Sequence, residues 1–243
     1  MQFATVSHRK NGFPMKFEFL LIDLDDTILD FHKAERVGLE NTLRHFGVEP
    51  TAEIAALYAD INRYHWAQLE VGKMTRKQVN EGRFVELFRH LGVEVDGEAC
   101  AAYYLSQLAL THDYLPGAEE ALERLQKKYR LFVASNGNVA VQLPRMAASG
   151  LNALVEQAFI SEELGQNKPS KAYFDLCFSR IADFDPTKAM MVGDSLTSDI
   201  QGGINAGIPT CWVNTFRKPN TTGIHPDYEI ESLVQLEALL EAL

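Results

Sequence analysis

The chain has 243 residues, 46% of them apolar and 23% charged, with 33 acidic against 23 basic side chains and a formal charge of -10. That length supports a full hydrophobic core without a disulfide or metal staple. An acidic chain also lacks the clustered Lys and Arg that hold a nucleic-acid polymer or an anionic membrane, although one local positive site is enough for a small phosphorylated ligand. Cys100, Cys177 and Cys211 stand far apart without a C-x-x-C pair and read as reduced thiols. No apolar run approaches the roughly 20 residues of a membrane span. The opening MQFATVSHRKNGFP has no apolar signal-peptide core, so a cytoplasmic protein is expected, with residues 1–14 as an N-terminal extension.

In chain order, FEFLLID (17–23) is nearly all apolar and ends in acids, as a strand buried on both faces of a parallel sheet does. Residues 31–112 then show helical periodicity and almost no strand signal. Segments 34–46, 52–70, 75–91 and 98–112 are predicted helices, with Gly47, Gly72 and Gly92 between them and Thr75 with Gln78 as a capping box. This stretch reads as an inserted helical domain, and it holds 9 basic and 11 acidic residues, so most of the net charge lies elsewhere. The alternation resumes with strands at 130–135, 157–161, 189–194 and 209–214. Helices at 118–129, 141–149, 170–182 and 198–206 lie between them, and a last helix at 233–242 is expected on the sheet edge. Pro144 is expected to delay the start of its helix. The fold class is α/β, a doubly wound parallel sheet of residues 15–30 and 113–243 carrying the helical insert 31–112. In such a sheet ligands bind at the carboxyl ends of the strands.

The acids fall at those ends. DLDDTIL sets Asp23 at the first strand tip and Asp25 two residues on, and GDSLTSD sets Asp194 at the fourth tip with Asp199 near the next helix. Converging carboxylates repel unless a proton or cation intervenes, and an all-oxygen site suits a hard ion such as Mg²⁺. SNGN places the Ser135 hydroxyl and the Asn136 and Gly137 amides where an anion can be cradled. Lys168, before Pro169 and a helix start at Ser170, is the cation among these tips.

Together, LLIDLDDTIL, FVASNG, NKPSKAYFD and MVGDSLTSDIQGGINAG resemble, in order, the motifs of the haloacid dehalogenase superfamily of aspartate-nucleophile phosphotransferases. The insert is similar to that superfamily's first type of cap. NRYHWAQLEVGKMTRKQVNEGRF and the tail SDIQGGINAGIPTCWVN are similar to its pyrimidine 5′-nucleotidase branch. The resemblance implies a Mg²⁺-dependent phosphatase of nucleoside 5′-monophosphates (dUMP, dTMP, UMP) working through an aspartyl-phosphate. Asp23 would be the nucleophile and Asp25 the general acid and base. Ser135, Asn136 and Lys168 would hold phosphate. Asp23, Asp194 and the Asp25 backbone carbonyl would hold Mg²⁺, with Asp199 holding a metal water or orienting Lys168. An aromatic residue at position 25, as in the dehalogenase branch, would lose leaving-group protonation; Asp25 favours phosphatase chemistry.

His65, Trp66 and Arg83 are candidates for contact with a base or sugar, whereas Lys73, Arg76, Lys77 and Arg83 together also read as a solvated helix face. The partner is a small-molecule phosphomonoester, with the chain a monomer or homodimer. The alternatives are a broad phosphatase acting on phosphoglycolate or sugar phosphates, a phosphomutase of the same fold, and a phospho-aspartate signalling module like a response-regulator receiver. A receiver has no place for an 82-residue insert and carries its phosphorylated Asp on a later strand.

Overall fold

The computed structural model describes residues 16–243, so the extension 1–14 lies outside the described residues. Strand β1 (Phe19–Ile22) is followed by helices α1 (Phe31–His45), α2 (Ala52–Glu70), α3 (Arg76–His90) and α4 (Gly97–Leu108). Then come α5 (Ala118–Leu125), β2 (Arg130–Ser135), α6 (Val139–Ala148), β3 (Gln157–Ile160), α7 (Ser161–Leu164) and α8 (Lys171–Ser179). The chain closes with β4 (Ala189–Gly193), α9 (Gln201–Ala206), β5 (Thr210–Val213), β6 (Tyr228–Ile230) and α10 (Leu236–Glu241).

The strands form one parallel sheet in the order β3-β2-β1-β4-β5-β6. Period-two alternation sends Leu20 and Ile22 of β1 into one apolar layer, with Leu122 and Leu125 of α5 and Leu236 of α10. Phe19 and Leu21 enter the opposite layer, with Tyr173, Phe174 and Cys177 of α8. Burial on both faces explains the nearly continuous apolar run that marks β1 in the sequence. All three cysteines are free and buried, and no helix among the described residues is long and apolar enough to cross a membrane.

Helices α1–α4 share an apolar cluster around Leu39, Tyr58, Phe84, Phe88 and Tyr104, which Val141 of α6 also joins. The capping box at Thr75 and Gln78 starts α3 as expected. The chain leaves for this bundle and returns from it along adjacent backbone. Asp30 donates its N–H to the Asp113 carbonyl at 2.9 Å, and Lys33 pairs with the Asp113 carboxylate at 2.7 Å.

Several elements depart from the sequence expectation. Strand β6 has no apolar run of its own and pairs parallel to β5. Helix α10 packs beside α5 and not on the sheet edge, which β6 occupies. Pro144 does not delay α6, which begins at Val139 and carries the proline at its sixth position. A π-helical turn, Leu196–Ile200, replaces the start expected for one helix at 198. Such wide turns recur at functional sites, and this one carries Asp199.

Candidate active site

Strand register brings the acids together. Ile22 pairs with Val133 on one side and Val192 on the other, so Asp23 and Asp194, each one or two residues further on, emerge from neighbouring central strands. Asp23 is anchored by its N–H to the Val192 carbonyl at 2.8 Å. The chain then turns sharply through Asp26, at φ 59°, whose carboxylate accepts from the Phe31 and His32 N–H groups and thereby fixes the start of α1. Carboxylate oxygens of Asp23, Asp194 and Asp199 lie within 4.8 Å of one another.

Lys168 answers part of this charge. It is 1% exposed, and its Nζ donates to Asp23 Oδ1 at 2.6 Å, Asp199 Oδ1 at 2.6 Å and the Ala134 carbonyl at 2.5 Å. Burial works against its charge, but Asp199 and Asp23 outweigh that and raise its pKa. All three ammonium protons are thus committed, and Asp199 is committed too, since its Oδ2 accepts from the Ser195 N–H at 3.0 Å. Asn136 holds the lysine from the other side, accepting from the Lys168 N–H at 2.8 Å and donating to its carbonyl at 2.9 Å.

One lysine does not balance the cluster. Burial, then the charges of Asp199 and Asp25, push the Asp23 carboxyl up to about 8 against the pull of Lys168. Asp194 is raised well above the carboxylate range by burial and by Asp199, Asp23 and Asp26, against the opposing charge of Lys218. Buried oxygens short of positive charge are the donor set a hard divalent cation requires. The residues present therefore fit such an ion.

The phosphate-loop expectation has a geometric counterpart. Ser135 Oγ accepts from the Gly137 N–H and from Gln142 Nε2, each at 3.1 Å. With both acceptor positions filled, its own proton is left to donate outward. Asp25 stands apart from the Lys168 cluster and is held by α6. Gln142 Nε2 donates to its Oδ2 at 2.6 Å, and Arg145 Nη1 to its Oδ1 at 2.5 Å.

Above these tips lies a cavity of about 230 Å³, lined by Asp23, Asp25, Ser135, Lys168 and Asp194 below and by Phe31, Trp66, Glu70, Arg83 and Leu108 from the helical bundle. Trp66 and Arg83 thus line the same cavity as the acids. His65 does not: it is buried between α2 and α3, bonded to Glu86 at 2.9 Å and packed on Gly82. The solvated-face reading also fails for Arg83, which is buried, donates to Asn62 Oδ1 at 2.7 Å and leaves its Nε unpartnered. It fails for Arg76, which donates to the Asn136 carbonyl at 2.8 Å and to Ser161 Oγ and Asn167 Oδ1, each at 2.6 Å, with its guanidinium 5.7 Å from the Trp66 ring. A larger open cleft of about 480 Å³ on the far side of Arg76 contains none of the clustered aspartates.

Sequence reasoning missed Gln142, Arg145, Arg76 and Glu70. Glu70 faces the cavity, and burial raises its pKa against a hydrogen bond from Thr197. The available signal was the i, i+3 spacing of Gln142 and Arg145 on the helix that follows the loop expected to hold phosphate.

A family model for haloacid dehalogenase-like hydrolases matches residues 18–207. The chain is 41% identical to the pyrimidine 5′-nucleotidase PynA of Streptococcus pneumoniae, over 91% of this chain and 94% of that one. It is 34% identical to the pyrimidine 5′-nucleotidase YjjG of Escherichia coli, over 93% and 99%. The crystal structure of YfnB from Bacillus subtilis bound to magnesium superposes with a TM-score of 0.89 at 39% identity, covering 93% of this chain and 99% of that one. The chain belongs to the haloacid dehalogenase-like hydrolases.

Proposed function

We propose that this haloacid dehalogenase-like hydrolase, a phosphomonoesterase close to the pyrimidine 5′-nucleotidases, is a Mg²⁺-dependent phosphatase of nucleoside 5′-monophosphates such as dUMP, dTMP and UMP. The carrying observation is the cluster of Asp23, Lys168, Asp194 and Asp199 directly beneath a cavity roofed by Trp66 and Arg83. In this reading residues 31–112 are a cap over a core of 15–30 and 113–243.

Asp23 is the nucleophile. Its carboxylate forms a bond to phosphorus while the ester oxygen departs with a proton from Asp25, leaving an aspartyl-phosphate. Asp25, now a carboxylate, takes a proton from water as that water attacks phosphorus, which frees Asp23 and inorganic phosphate. The Ser135 hydroxyl and the Asn136 amide hold the phosphoryl oxygens, and the Lys168 charge beside Asp23 offsets their charge, which would otherwise repel the nucleophile. Asp23, Asp194 and the Asp25 carbonyl would hold Mg²⁺, which when bound supplies further neutralisation of phosphoryl charge. Asp199 orients Lys168. Trp66 offers a face for a pyrimidine ring, and the free Nε of buried Arg83 offers a donor for a base carbonyl or sugar oxygen.

The test is phosphate release from dUMP, dTMP, UMP, AMP, phosphoglycolate and hexose phosphates, with Mg²⁺ or with EDTA. Pyrimidine nucleotides are expected to turn over best, with loss in EDTA and in Asp23→Asn. Turnover that survives either change overturns the mechanism, and a preference for phosphoglycolate or a hexose phosphate overturns the substrate.

A further inference from the structure

Asp25 is tied into a closed ring of hydrogen bonds with two buried side chains that none of the strand-tip motifs contains. Arg145 is 0% exposed. Its Nη1 donates both protons, to Asp25 Oδ1 at 2.5 Å and to Gln142 Oε1 at 2.8 Å. Gln142 Nε2 likewise donates both of its protons, to Asp25 Oδ2 at 2.6 Å and Ser135 Oγ at 3.1 Å. The amide orientation follows from this, because only one way round faces a donor with oxygen and two acceptors with nitrogen. Gln142 is also boxed in by the phosphate loop, where a Cβ added at Gly137 would come within 2.2 Å of its Nε2. The guanidinium is held in turn by both connections to the helical bundle. Its Nε donates to the Thr111 carbonyl at 2.9 Å on the return connection, and its plane lies 5.6 Å from the Phe31 ring at the outgoing one.

The buried guanidinium finds its acceptors in Asp25 Oδ1 and Gln142 Oε1, and the Asp25 carboxyl oxygens keep lone pairs for the proton they transfer. A structural ion pair has no need of a residue bridging to Ser135, yet Gln142 supplies one. We infer that Gln142 and Arg145 are positioning residues for the proton-transfer step, fixing the Asp25 carboxylate relative to the Ser135 side of the phosphate site. The inference rests on the phosphatase reading, in which Asp25 gives its proton to the leaving oxygen.

Leaving-group dependence separates this role from a purely structural one. An alkoxide leaving from a nucleotide needs the proton, whereas p-nitrophenolate leaves without it. In Gln142→Ala and Arg145→Met, kcat/KM for dUMP is expected to fall about 100-fold, the lower end of the range attributed to general acid catalysis, and for p-nitrophenyl phosphate by less than about 5-fold. Across substituted aryl phosphates the dependence on leaving-group basicity should steepen, and Arg145→Lys should restore part of the nucleotide rate. Equal losses on both substrates in folded variants, or no loss, overturn the inference. If Arg145→Met does not fold, Gln142→Ala decides alone. Asp25→Asn is the control. If it steepens the dependence and the Gln142 and Arg145 variants do not, only the inference fails; if it does not, the acid role of Asp25 fails, and the inference with it.

Discussion

Arg76, at the first residue of α3, donates to the backbone carbonyl of Asn136, whose side chain in turn brackets Lys168 at both its N–H and its carbonyl. The helical bundle is thus fastened to the loop expected to hold phosphate, through the same residue that sets the lysine. Loss of the guanidinium in Arg76→Ala also removes the contacts to Ser161 and Asn167. Each hydrogen bond to a charged group contributes about 1.5–3 kcal/mol to stability, so the melting temperature is expected to fall, and kcat/KM to fall about tenfold as the Asn136 loop shifts. Arg76→Lys should recover little, because one ammonium does not reproduce the fork. Steady-state kinetics beside a thermal melt check this, and an unchanged kcat/KM in a folded Arg76→Ala would show the fastening to be idle.

Metal binding should expel protons. Burial and neighbouring acids raise the carboxyl of Asp23 to about 8 and that of Asp194 well above its ordinary range. Below pH 8 the metal-free cluster therefore carries protons that a divalent cation must displace, since it binds only ionised carboxylates. Mg²⁺ affinity is expected to weaken as pH falls, with proton uptake by the buffer on binding at pH 7 that diminishes as pH rises past 8. Calorimetry in buffers of different ionisation heat measures the release, and its absence at pH 7 would contradict the raised carboxyls.

Gly193, the last residue of β4, leaves room for Asp199. A Cβ there would lie 2.3 Å from Asp199 Oδ2 and 2.4 Å from its Cγ. Because Asp199 is held by both Lys168 and Ser195, it has no slack to yield. Gly193→Ala is expected to lower stability by about 1–3 kcal/mol through overpacking and to reduce activity further by displacing Lys168. Urea denaturation with phosphatase assays tests it, and a variant with unaltered activity would show that Asp199 can move freely.

The His32 imidazole pairs with Asp26 at 2.7 Å, and that hydrogen bond raises its pKa above 6.5, against partial burial. A raised histidine stabilises the fold fully below its unfolded value, and this contribution fades as pH rises through the folded value. His32→Gln should therefore cost more stability at pH 5.5 than at pH 9, read as the difference between melts of the two proteins. A gap that widens with pH would reverse the assignment.

Legibility followed how local each signal is. Strands β1, β2, β4 and β5 are apolar runs because both faces of a central parallel strand are covered, and their polar ends, acidic after β1 and β4, mark where the chain leaves the sheet. Strand β6 carries only three residues with mixed exposure and pairs on one side, so no pattern announces it. His65 and Trp66 are neighbours in sequence, but consecutive helical residues point about 100° apart. One therefore meets the cavity while the other fills the α2–α3 seam, a choice that periodicity over a short polar segment does not resolve. Gln142 and Arg145 serve Asp25 across 117 and 120 residues of chain. Their i, i+3 spacing puts them on one face of α6, but which residue that face serves is set by long-range packing.

The bond between Asp30 and Asp113 makes a socket of the core. Between those residues the chain leaves and rejoins the sheet on adjacent backbone, so apart from the Arg76 contacts to Asn136, Ser161 and Asn167 its length and content can vary while strand order and the aspartate cluster stay in place. Under the proposed function, whole roofs could then be exchanged at that junction and new specificities arise without rebuilding the chemistry beneath. The partners of Arg145 at Phe31 and Thr111 limit that freedom. A transplanted bundle must still present an aromatic face and a carbonyl at its two ends.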